Sequence, residues 1–114
     1  MTNAVEEQQL DAMFTALSDR TRRDIVARLS TGEATVKELA EPYAMTMQAV
    51  SQHIRVLERS GLISQGRHRQ TRPCRLEPAA LETALSWIEE SRRTWSDRMD
   101  RLETHLARVQ ERGQ

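Results

Sequence analysis

Gln48, Ser51, Gln52, Arg55 and Arg59 recur at i, i+3, i+4, i+7 and i+11. That spacing gathers five hydrogen-bonding side chains on one side of a helix. An amide side chain can pair with an adenine edge through two hydrogen bonds, and an arginine can do the same with guanine. A charged outer face on a surface helix is usually only solvated. This one is rich in amides and arginine and nearly empty of acids, which suits a helix that reads base edges in double-stranded DNA.

Other chemistries fare worse. Ser51 and His53 stand at i and i+2, so a helix points them to different sides and no Ser-His catalytic pair forms. His53 instead lies beside the apolar stripe, as a hydrogen-bonded histidine at the core edge. No nucleophile–base pair, phosphate loop or metal-ligand set is found, so an enzyme is not expected and no cofactor is implied. Cys74 has two readings. It shares parity with Leu76 in a candidate strand, which turns it inward as a buried structural thiol. The alternative is a redox-responsive thiol, for which the neighbouring Arg72 and Arg75 would favour the thiolate.

The reading residues require a scaffold, and the surrounding chain supplies one. Val50, Ile54 and Leu57 make the apolar stripe of the same stretch, TMQAVSQHIRVLERSGL at residues 46–62. Upstream, Thr35 and Glu38 form a capping box opening a short helix that Pro42 ends. Thr46 is a plausible N-cap for the second helix. Short helix, tight turn and amphipathic second helix form a helix-turn-helix. Gly61 suits a left-handed helix cap. An extended segment from Leu62 then pairs with the stretch 72–76, and residues 66–71 form a polar hairpin tip. Residues 50–75 carry six arginines (55, 59, 67, 69, 72 and 75) against the single acid Glu58, within a chain of 17 basic and 17 acidic residues. The positive charge is therefore local, as in the footprint of a nucleic-acid binder.

The runs ALSDRTRRDIVARL (residues 16–29), VKELA (36–40), AVSQHIRVLERSGLI (49–63) and RLEP (75–78) resemble the ArsR-type winged-helix transcriptional repressors. The resemblance covers about residues 10–110. It implies a mainly α fold with a small β-hairpin wing and a cytoplasmic bacterial homodimer that sits on operator DNA. Metal-sensing members carry paired cysteines in the helix before the turn, or His/Asp clusters in the last helix. Residues 36–44 hold no cysteine and His105 stands without other histidines nearby, so no metal site is expected. The effector, whether a small molecule or a redox signal, stays unassigned.

The chain length of 114 residues sets a single domain. The helix-turn-helix is placed at about 36–60, the wing at about 62–76, and dimerisation helices at about 4–17 and 78–110. Leu10, Met13, Phe14 and Leu17 share a face of the first helix. In the second, Arg20, Arg22 and Arg23 read either as a solvated helix end or as phosphate contacts. From Pro78 a long helix, about 45–50 Å at 1.5 Å per residue, carries Leu81, Leu85, Ile88, Trp95, Met99, Leu102, Leu106 and Val109 at alternating steps of four and three, with Arg92 as polar filler. Such a heptad stripe argues for a helix–helix seam. Leu10, Phe14, Trp95, Met99, Leu102 and Leu106 are the candidate dimer contacts, whereas Trp87 fits core or interface equally.

The expected DNA contacts are Gln48, Ser51, Gln52 and Arg55 on the helix, with Arg67, His68, Arg69 and Arg72 on the wing. A second function class is a winged-helix module that binds protein. No membrane span, secretory signal or intramolecular disulfide is expected, which points to the cytoplasm.

Overall fold

The computed structural model describes residues 4–66 and 72–113. The chain divides into two compact units, residues 1–82 and 83–114. The elements run α1 (Ala4–Ala16), α2 (Arg20–Leu29), α3 (Val36–Ala40), α4 (Met47–Arg59), β1 (Ile63–Gln65), β2 (Cys74–Leu76) and α5 (Pro78–Arg112).

In the first unit, short helices are started by side-chain caps. Asp19 accepts the Arg22 amide at 3.0 Å and opens α2. Its carboxyl is held below the usual carboxylate range, chiefly by that backbone amide. At α3 the capping box is complete. The Glu38 amide donates to Thr35 Oγ1, and the Thr35 amide donates to Glu38 Oε1, both at 3.1 Å. A five-residue helix has too few internal bonds to stand alone, so these two end bonds matter. Thr46 caps α4 by accepting the Ala49 amide at 3.0 Å. Gly61 follows α4 with φ +84°, the left-handed conformation its lack of a Cβ allows.

The core is built from one face of each helix. Leu10, Met13 and Ala16 of α1, Ile25 and Leu29 of α2, Leu39 of α3, and Val50, Ile54 and Leu57 of α4 are all buried. The dimer contacts expected of α1 are corrected at Leu10, which is 5% exposed and packs in the core of its own protomer, whereas Phe14 is 38% exposed. The buried sector centres on Met13. The next residue is turned about 100° from it, which puts Phe14 at the edge.

β1 and β2 pair antiparallel, with Ile63 opposite Leu76, Ser64 opposite Arg75, and Gln65 opposite Cys74. Ala34 bridges the other edge of β2, exchanging hydrogen bonds with Cys74 at 2.7 and 3.2 Å. The segment before α3 thus locks the hairpin to the helix-turn-helix. Leu62, Ile63 and Cys74 point inward and are buried.

In the second unit, α5 leaves a row of large apolar side chains in solvent. Leu85, Ile88, Trp95, Leu102, Leu106 and Val109 are each 45% or more exposed.

Candidate nucleic-acid interface

α4 has two opposite faces. Val50, Ile54 and Leu57 anchor it in the core, and this fixes what the other side presents. Gln48, Gln52 and Arg55 are exposed and Ser51 is half-buried. Between α4 and the hairpin runs an open cleft of about 870 Å³, with Ser51, Arg55 and Glu58 on one wall and Ser64, Gln65 and Arg72 on the other. Arg72 is exposed and takes φ +32°, a left-handed geometry two residues before β2. The structure therefore brings Ser51, Arg55 and Arg72 together around one cleft and sets Gln48 and Gln52 on the same helix. The expected wing contacts Arg67, His68 and Arg69 lie outside the described residues.

The hairpin is braced on its outer side. Arg75 Nε donates to Ser64 Oγ at 3.3 Å and lies 3.5 Å from Glu77 Oε1, while Ser64 Oγ donates to Glu77 at 2.5 Å. This bracing occupies Arg75 and removes the support for the redox-responsive alternative at Cys74. Neither arginine favours its thiolate: Arg75 is committed on the other face of the strand, and Arg72 is at the cleft. Burial, with Glu58 adding like charge, pushes the Cys74 thiol up to about 11. The thiol is fully buried and neutral at physiological pH. Alkylation of native protein at pH 8 should be far slower than that of the unfolded chain, with the rate rising only toward the raised pKa. Labelling at the unfolded rate would show an accessible thiolate.

Arginines hold α4 in place in ways that spacing does not reveal. Arg22 donates from Nε to the Ala16 carbonyl at 2.6 Å and from its terminal nitrogens to the Thr15 carbonyl at 3.3 Å and His53 Nδ1 at 3.1 Å. It thus joins the end of α1 to the middle of α4. With Arg22 donating, His53 Nδ1 is an acceptor, and Asp19 lies 3.8 Å away. His53 is half-buried at the core edge. Arg23 donates to the Leu17 carbonyl at 2.7 Å. These bonds reach the carbonyls of Ala16 and Leu17 at and just past the end of α1, and that of Thr15, which also accepts the Ser18 amide and hydroxyl. Arg28 does the same for α3, donating to the Leu39 and Glu38 carbonyls at 2.8 and 3.0 Å. Its guanidinium also sits 5.6 Å from the centre of the Tyr43 ring, and the Tyr43 hydroxyl donates to Asp24. The nearest sequence signal was the arginine cluster of residues 20–23 just past the end of a helix, which leaves the acceptors unspecified.

Among the described residues, no three His, Cys, Asp or Glu side chains gather as a metal-ligand group, and no helix is long and apolar enough to cross a membrane.

A short capped helix, a turn, an amphipathic second helix and a two-stranded hairpin define a winged helix-turn-helix. A helix-turn-helix domain family matches residues 17–65. The chain is 41% identical over 78 residues to the HTH-type transcriptional regulator Rv2034 of Mycobacterium tuberculosis, covering 66% of this chain and 73% of the relative. It is 29% identical over 79 residues to the transcriptional repressor SdpR of Bacillus subtilis, covering 69% and 88%. The solved structure of the ArsR family transcriptional regulator RHA00566 superposes with a TM-score of 0.76 at 36% identity, covering 84% of this chain and 97% of that one. The chain belongs to the ArsR family of helix-turn-helix transcriptional regulators.

Proposed function

We propose that the protein is a homodimeric, sequence-specific repressor that occupies an inverted-repeat operator through α4 and the wing. The observation that carries this reading is the asymmetry of α4. Its inner face is wholly buried while Gln48, Gln52 and Arg55 stand exposed, offering amide and guanidinium donors from the helix that a helix-turn-helix inserts in the major groove. Ser51 faces the cleft with Arg55 and Arg72, and Arg67, His68 and Arg69 would complete the wing's contact with phosphates or the minor groove. Repression follows from occupancy: a dimer clamped on a promoter excludes polymerase. The site of action would be the cytoplasm, where bacterial DNA lies.

The dimer in this reading forms through α1 and α5. The exposed stripe of α5 is what an unpartnered seam would present, with Trp95, Met99, Leu102 and Leu106 as contacts and Phe14 contributed by α1. Two copies related by a two-fold axis would read two half-sites. Sequencing genomic fragments retained by the purified protein should yield an inverted repeat with half-site centres about 10 base pairs apart, or a multiple of that. Fragments sharing no motif, retained only at low salt, would contradict sequence-specific binding. A partner protein bound with salt-insensitive affinity and no DNA requirement would favour the interaction-module reading instead.

A further inference from the structure

The start of α2 concentrates basic side chains. It carries Arg20, Arg22 and Arg23, and the one carboxylate at that end is the Asp19 cap, which accepts the Arg22 amide. Two of these arginines have a structural reason, since Arg22 and Arg23 close the carbonyls of Thr15, Ala16 and Leu17 at the end of α1. Arg20 has none. It is exposed and makes no hydrogen bond or ion pair among the described residues. Among the described residues its guanidinium is thus left open to an external anion.

Its surroundings indicate which anion. Arg20, Thr21, Arg23 and Asp24 of α2 face Tyr43 across an open cleft of about 680 Å³. Tyr43 belongs to the turn between α3 and α4, three residues before the Thr46 cap of the reading helix. The cleft is therefore continuous with the segment that delivers α4. Its acid, Asp24, accepts the Tyr43 hydroxyl, while Arg20 and Arg23 give the cleft a net positive balance. Arg23 has one donor committed to Leu17, and a guanidinium has five. What remains is the whole guanidinium of Arg20, the rest of Arg23 and the Thr21 hydroxyl. Planar guanidinium forks match phosphate oxygens.

We propose that Arg20 and Arg23 form a third DNA contact, distinct from α4 and the wing. It clamps a backbone phosphate of the strand flanking the groove that α4 enters. The proposal rests on the reading of α4 as the DNA-binding helix. A contact of this kind carries no sequence information; it fixes the depth and tilt of α4 and adds salt-dependent affinity.

Arg20 allows a test that separates binding from folding. Replacing it with Glu puts an acid at the positive end of α2, so the thermal midpoint should stay level or rise, while binding to operator and random DNA weakens alike. Arg20→Ala should also weaken both, and it should flatten the plot of log K against log salt by about one unit per protomer. Wild-type affinity and slope in Arg20→Ala would overturn the proposal. A lowered midpoint in Arg20→Glu would overturn it too, by making Arg20 a structural residue. A failure of the underlying reading looks different: the unmutated protein would then not bind DNA in a salt-dependent way at all.

Discussion

Leu102→Asp is expected to convert the dimer to a monomer without unfolding it. Leu102 is 48% exposed in the single chain, so a carboxylate there meets water and costs the isolated protomer little. In a heptad seam the same carboxylate would be buried against a second apolar helix, where an unpaired charge is strongly disfavoured. Light scattering at micromolar concentration should report one chain for the variant and two for the unmutated protein. Operator affinity should fall by roughly 10²–10⁴-fold, because the second half-site is no longer engaged intramolecularly. Unchanged circular dichroism would show that α4 still presents its face. A wild-type protein that is monomeric at micromolar concentration would remove α5 as the dimer helix.

The second large effect lies inside the first unit. Ile54 is fully buried and sits two residues from Gln52 on the same helix. Ile54→Ala removes three carbons from a packed site and leaves a cavity, with an expected loss of about 2–5 kcal/mol. That is a large share of the roughly 5–15 kcal/mol that holds an ordinary domain together. Chemical denaturation should show a lower midpoint at an unchanged slope. Because dimerisation would add concentration-dependent stability, the two proteins must be compared at one concentration. A loss under 1 kcal/mol would mean that Ile54 is not the anchor its burial indicates.

The caps and the periodicity were the legible parts of this chain. Thr35, Glu38 and Thr46 announce helix starts because a hydroxyl and a carboxylate at fixed offsets are the local solution to unpaired amides. Val50, Ile54 and Leu57 announce the buried face by spacing, and Gly61 marks the stop because a left-handed residue is needed there. The inward parity of Cys74 could be read because a strand has a strict period of two. What escaped were contacts between segments far apart in sequence. The bonds of Arg22 to His53 and of Arg28 to Leu39 and Glu38 depend on how helices cross. The pairing of Ala34 with Cys74 gives β2 a second neighbour that no local pattern marks. Cys74 shows the limit most clearly. Charged neighbours in sequence left a thiolate open as the alternative to a buried thiol, whereas strand geometry points Arg75 away and burial sets the thiol's chemistry.

The central claim is that α4 reads bases through its outer face, and Gln52→Ala tests it most directly. Gln52 is exposed, so the variant should keep wild-type stability. At one fixed salt concentration, affinity for the selected operator should fall by roughly 1–3 kcal/mol, while affinity for random DNA of the same length stays nearly constant. Specificity is then lost and non-specific binding is kept. An equal loss on both DNAs, or no loss on either, would contradict the assignment of α4 as the reading helix.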